Sequence, residues 1–140
     1  MENFSKRKIA NSFFNLLCIS FFGVVSCNNT SVDKTDSIGV TKIEIPTKEI
    51  YLDKVEIHSK TEAKFKIINS GKQPLLISRI EADCSCTNVF AEKERISMGD
   101  STFIHVTYNA KIYGYFMQNI LFSSNTDEKI HILSIKGKTE

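Results

Sequence analysis

Four cysteines offer this 140-residue chain most of its chemistry, and their spacing divides them. Cys18 lies within an apolar run, Cys27 ends that run, and Cys84 and Cys86 stand one residue apart. Two residues apart on a strand means the same face, so the last two thiols can meet. Three readings of the pair stay open. In the first, a disulfide spans Ser85. Bridged Cα atoms lie about 4.4–6.8 Å apart, which a bend at Ser85 would satisfy. So small a ring constrains few unfolded conformations and adds little stability, and it would be easily reduced, a redox pair more than a staple. In the second, Cys84 and Cys86 form half of a soft-metal site, suited to Cu(I). Structural zinc needs about four ligands, so His58, His105 or His131 would have to converge on the pair. In the third, the two side chains simply pack a strand end. Asp83, beside Cys84, would raise the pKa of a nearby thiol when ionised, which argues against a strongly activated nucleophile.

The remaining patterns exclude more than they suggest. The chain carries no glycine-rich phosphate loop, no HExxH and no G-x-S-x-G. Glu56, Glu62 and Glu81 alternate with apolar residues, as solvated strand faces do. The expectation is a protein without catalytic residues and without a cofactor.

Cys27 belongs to an address. Lys6, Arg7 and Lys8 precede an apolar run from Phe13 to Val25. The run is shorter than the roughly 20 residues of a membrane span and reads as a secretory signal. Val24-Val25-Ser26-Cys27 resembles a lipobox, in which small residues precede a cysteine that is acylated and becomes the mature N-terminus. The organisation expected is a signal peptide at 1–26, a flexible tether at 27–40 and a domain at 41–140. The tether is polar and has too little apolar surface to order itself. Residues 1–27 hold three of the 18 basic and one of the 16 acidic residues, so the remainder balances at 15 of each. No basic field is left to attract nucleic acid. The partners expected are a membrane, through the lipid on Cys27, and a protein of the cell envelope, with the domain facing the periplasm.

The elements that must position Cys84 and Cys86 alternate with period two. Ile43 and Ile45 share a face before Pro46, and Ile50, Leu52, Val55 and Ile57 continue the pattern. Ala63, Phe65 and Ile67 oppose Glu62, Lys64 and Lys66, the mark of a half-buried strand. Lys64 and Lys66 read as solvent-facing or edge-protecting. Asn69-Ser70-Gly71-Lys72 supplies a turn, with Gly71 able to adopt positive φ. Pro74 should open the next strand, 74–80, or sit at an edge. Further strands are expected over 102–108, 116–124 and 129–136. About seven short strands predict an all-β, immunoglobulin-like β-sandwich, with a small barrel as runner-up. The absence of Trp and of widely spaced cysteines excludes an antibody-type disulfide core.

The order of several small motifs adds a family. Asn69-Ser-Gly71-Lys-Gln-Pro74-Leu75, Cys84-Ser-Cys86-Thr87, Gly99-Asp100, Gly114-Tyr-Phe116 and Ser124-Asn125 together resemble the DUF1573 family, over roughly Ile50 to Gly137. Ser85 replaces that family's glycine between the cysteines, and Met98 replaces a proline. The resemblance implies an immunoglobulin-like domain related in shape to domains of cilia-associated and pilus-chaperone proteins, often exported, with no established activity. The function expected is a lipid-anchored, non-catalytic binding or structural module. The alternative is a thiol-redox or copper-handling protein using Cys84 and Cys86.

Overall fold

Alternating side chains become strands wherever one face finds a partner sheet. The computed structural model describes residues 38–140. The expected signal peptide, Cys27 and most of the expected tether therefore lie outside the described residues. Nine strands follow in order: β1 (Ile43–Glu44), β2 (Glu49–Val55), β3 (Lys60–Asn69), β4 (Leu75–Ala82), β5 (Thr87–Ala91), β6 (Arg95–Ile96), β7 (Ser101–Asn109), β8 (Gly114–Ser124) and β9 (Ile130–Thr139). There is no helix among the described residues. One sheet has the order β1-β3-β7-β5 and the other β2-β9-β8-β4-β6. They make the two layers of an immunoglobulin-like sandwich.

The core lies between the layers. Phe65, Ile67, Ile104 and Val106 enter it from the first sheet, and Leu75, Ile120, Phe122, Leu133 and Ile135 from the second. Each large apolar side chain so buried contributes about 1.5–3 kcal/mol. The β3–β7 ladder runs antiparallel from Lys60↔Asn109 to Ile68↔Ser101, and the β8–β9 ladder from Gly114↔Thr139 to Ser123↔Ile130. β2 pairs with β9 in parallel, from Glu49↔Ser134 to Val55↔Thr139. That parallel contact needs Gly137, where an added Cβ would stand 2.2 Å from the Leu52 carbonyl oxygen.

The count is nine strands rather than about seven. The additions are β5 and β6, in the stretch that follows the cysteine pair. β5 turns Thr87, Val89 and Ala91 inward but exposes Phe90, its largest apolar side chain, so its apolar pattern does not mark the buried face. β6 has two residues, too few for any period. β2 also stops at Val55, leaving Ile57 in the turn beyond it. Pro74 immediately precedes β4, as a residue without an amide proton should.

The turn after β3 works differently from its sequence reading. Gly71 does not adopt positive φ; among the described glycines only Gly99 and Gly114 do. Its requirement is space. A Cβ on Gly71 would lie 2.2 Å from Thr41 Oγ1 and 2.3 Å from the Lys42 amide nitrogen. Asn69, 0 % exposed, holds the turn around it. Its Nδ2 donates to the carbonyls of Gln73 (2.9 Å) and Ile96 (3.0 Å), and its Oδ1 accepts from the Gly71 amide (3.1 Å) and lies 3.0 Å from Thr41 Oγ1. Asn125 does the same work opposite. It accepts from the Leu76 amide (2.7 Å) and donates to Gly39 (2.8 Å) and Pro74 (2.9 Å) carbonyls.

One edge stays open. On the side away from β7, β3 is paired only at Ile68 and Asn69 among the described residues. The bond from the Asn69 amide to the Asp100 carbonyl sets the parity of the ladder. The backbone groups of Lys60, Glu62, Lys64 and Lys66 therefore face outward.

Candidate functional site

The Cys84–Cys86 turn joins the end of β4 to the start of β5, crossing from one sheet to the other. Backbone bonds fix it at several points. The Thr87 amide donates to the Cys84 carbonyl (3.0 Å), and Asn109 donates to the Cys86 carbonyl through its amide (2.8 Å) and Nδ2 (3.2 Å). Asp83 ties the other side. Its amide donates to the Asn119 carbonyl (3.1 Å), and its Oδ2 accepts from the Asn119 amide (3.0 Å) and Nδ2 (3.1 Å). The chain bends over residues 83–86, the Cα atoms of Cys84 and Cys86 come to 5.1 Å, and the sulfurs are joined. The structure thus places the pair as a disulfide.

Local bonding distinguishes the two sulfurs. Cys86 is 8 % exposed, and its Sγ lies 3.8 Å from Thr87 Oγ1. Cys84 is half-buried, and its Sγ accepts the Cys86 amide at 3.0 Å. That donor draws electron density from Cys84 Sγ and would stabilise a thiolate there. The Asp83 carboxylate, expected to oppose such a thiolate, accepts from the two Asn119 donors, which fix its position and leave its charge in place.

Beside the disulfide lies a cleft of about 400 Å³. The cysteine turn forms one wall and the β7–β8 connection with the start of β8 the other. Buried Tyr108 lies at its base, its ring stacked on Phe116 at 4.2 Å between centroids. Ile112, Tyr113 and Tyr115 also line it and are 78 %, 70 % and 83 % exposed. Among the described residues Lys111 contributes the one charged side chain of the lining, and no carboxylate joins it. Three large apolar residues this exposed around a concavity depart from an ordinary solvated loop. The sequence reading singled out none of Ile112, Tyr113 and Tyr115 as site residues. The available signal was the run Ile112-Tyr113-Gly114-Tyr115, too apolar for a connection that only turns.

The histidines stay apart from the cysteines. His105 Nε2 is 2.6 Å from Glu92 Oε1, and its ring stacks on Phe90. His58 occupies the turn after β2 at φ 63°, its amide donating to the Ala110 carbonyl (2.8 Å). His131 is buried against Phe122. Among the described residues no group of three His, Cys, Asp or Glu side chains could hold a metal ion.

His131 does gather the residue types of a hydrolytic triad. Its Nε2 lies 3.0 Å from Ser124 Oγ and 2.9 Å from Thr126 Oγ1, and its Nδ1 lies 3.9 Å from Glu128 Oε2. The geometry fails the chemistry. Two hydroxyls compete for one nitrogen, the serine is buried, and 3.9 Å is too long for an orienting hydrogen bond. Burial holds the imidazole's pKa below its ordinary value, the Glu128 charge opposing that shift only in part. The cluster is a buried polar network that closes one end of the sandwich.

No curated protein matches this sequence. Solved structures match its fold. A protein of unknown function from Porphyromonas gingivalis W83 aligns at a TM-score of 0.64 and 13 % identity, over 77 % of this chain and 51 % of that one. This chain therefore spans about half the length of that protein. The ASH/PapD-like domain 7 of human CEP192 aligns at 0.59 and 11 % identity, over 72 % of this chain and 87 % of that one. The secreted serine protease VesC of Vibrio cholerae aligns at 0.54 and 10 % identity, over 74 % of this chain but 24 % of the protease. At these identities the likeness concerns the fold alone. The family model described as "Protein of unknown function (DUF1573)" matches residues 43–139, all nine strands described above, and the chain belongs to that family.

Proposed function

We propose that this chain is a non-catalytic binding module of the cell envelope, lipid-anchored through Cys27, whose cleft receives an apolar, extended segment of a partner protein. The observation that carries the reading is the concavity lined by Ile112, Tyr113 and Tyr115. Exposed aromatic side chains give a large contact area and lose few rotamers on binding. A fold with open loops at its ends and no assigned chemistry suits such a role. The lipobox-like Val24-Val25-Ser26-Cys27 supports the anchor and the periplasmic setting.

Binding of a fluorescent leucine- and phenylalanine-rich peptide to the full chain tests the cleft. Tyr113→Ser combined with Tyr115→Ser should weaken it by about tenfold or more, the loss of roughly 1.4 kcal/mol. Equal binding by the variant would overturn the assignment. Mass spectrometry of the membrane-extracted protein tests the anchor: acyl chains on Cys27 are expected, and an unmodified or differently cleaved N-terminus refutes them.

A second reading is favoured by the disulfide that walls the same cleft. It makes the site a thiol-exchange centre. The copper version of that reading lacks a third soft ligand among the described residues.

A further inference from the structure

We propose that the cleft oxidises paired cysteines presented by an apolar, extended segment of a second polypeptide, with the Cys84–Cys86 disulfide as oxidant. This rests on the reading of the cleft as a peptide site and adds the chemistry of its occupant. Three observations converge. Both bridged cysteines line the cleft, so a docked segment lies against the disulfide turn. In the less buried of the two cysteines, Cys84 Sγ is polarised by the Cys86 amide at 3.0 Å. Lys111, the charged residue of the lining, favours an approaching thiolate, and among the described residues no lining carboxylate repels it. A ring closed over one residue is worth little to the fold, so it can open without unfolding the domain.

The exchange balances in two steps. A partner thiolate attacks Cys84 Sγ and bonds to it, while the Sγ–Sγ bond breaks and its electron pair leaves on Cys86 Sγ, which takes a proton. The partner's second thiolate then attacks the partner sulfur of the mixed disulfide. Cys84 leaves as a thiolate accepting the Cys86 amide and then takes up the second proton released by the partner thiols. Two electrons and two protons have passed from the partner dithiol, now a disulfide, to Cys84 and Cys86, now thiols.

The test uses the oxidised full chain and two synthetic dithiol peptides with the same Cys-Ser-Ser-Cys centre. One is flanked by leucine and phenylalanine, the other by serine and glutamine. Quenched samples are read by mass spectrometry for mixed disulfide and peptide oxidation. The apolar peptide should be oxidised about tenfold faster, matching one decade of binding preference. Tyr113→Ser with Tyr115→Ser should abolish that preference, and Tyr51→Ser, on β2 outside the cleft, should retain it. Equal rates for the two peptides, a preference that survives in the cleft variant, or a disulfide left intact by excess of both peptides overturns the proposal. A cysteine-free apolar peptide, offered to Cys84→Ser/Cys86→Ser, separates the two levels. Binding there without exchange in the parent refutes the chemistry alone, whereas no binding refutes the cleft itself.

Discussion

A single buried side chain can carry the geometry of a whole turn, and Asn69 does so here. It satisfies the Gly71 amide and the Gln73 and Ile96 carbonyls at once, with no exposure to water. Asn69→Ala removes these bonds, leaving the Gly71 amide only the Lys42 carbonyl and the Gln73 carbonyl only Thr41 Oγ1 as partners, and should cost about 1–3 kcal/mol in urea unfolding. His131 offers a second test at this scale. Its folded pKa is lowered, so the unfolded chain binds its proton more readily. The native state keeps its full advantage above the ordinary imidazole pKa of 6.5 and loses it as pH falls through the lower folded value. Urea midpoints between pH 7.5 and pH 5 should therefore fall, and His131→Leu should flatten that fall. The residue level is also where reading from sequence reached its limits. Asn69, Gly71 and Pro74 were visible as a turn. That Gly71 is required by the approach of Thr41 and Lys42 depends on a contact 30 residues away in sequence, which local pattern does not encode.

Strands were legible in proportion to how one-sided their burial is. β3, β7 and β9 bury alternate residues over long runs and stand out. β5 and β6 belong to the fold through pairing with β7 and β4, and their own side chains say little about it. The same reasoning explains the candidate site. The cysteine spacing announced possible chemistry, but the cleft arises from β4, β5, β7 and β8 meeting at one end. The open side of β3 has a consequence of its own. Lys64 and Lys66 stand where another strand would add, and their charge opposes it. Replacing both by valine should produce concentration-dependent association in sedimentation velocity, whereas a monomer at all concentrations would show that the edge is protected by something other than charge.

For the molecule as a whole, stability comes from one core shared by two sheets, with the disulfide a minor contributor. Reduction of Cys84–Cys86 should lower the thermal midpoint by only a few degrees, consistent with about 1 kcal/mol or less for so small a loop. A collapse of the fold on reduction would contradict that division of labour and would remove the basis for reversible exchange. The pairing of β2 with β9 has a mechanical meaning. These strands lie near opposite ends of the domain sequence, yet run side by side in the same direction from Glu49↔Ser134 to Val55↔Thr139. Tension applied at the two ends would draw them past each other along their length. The ladder bonds would then share the load together, whereas the short β1 would give way bond by bond. A domain held by one end and pulled by a partner would yield first at β1 and keep its core closed.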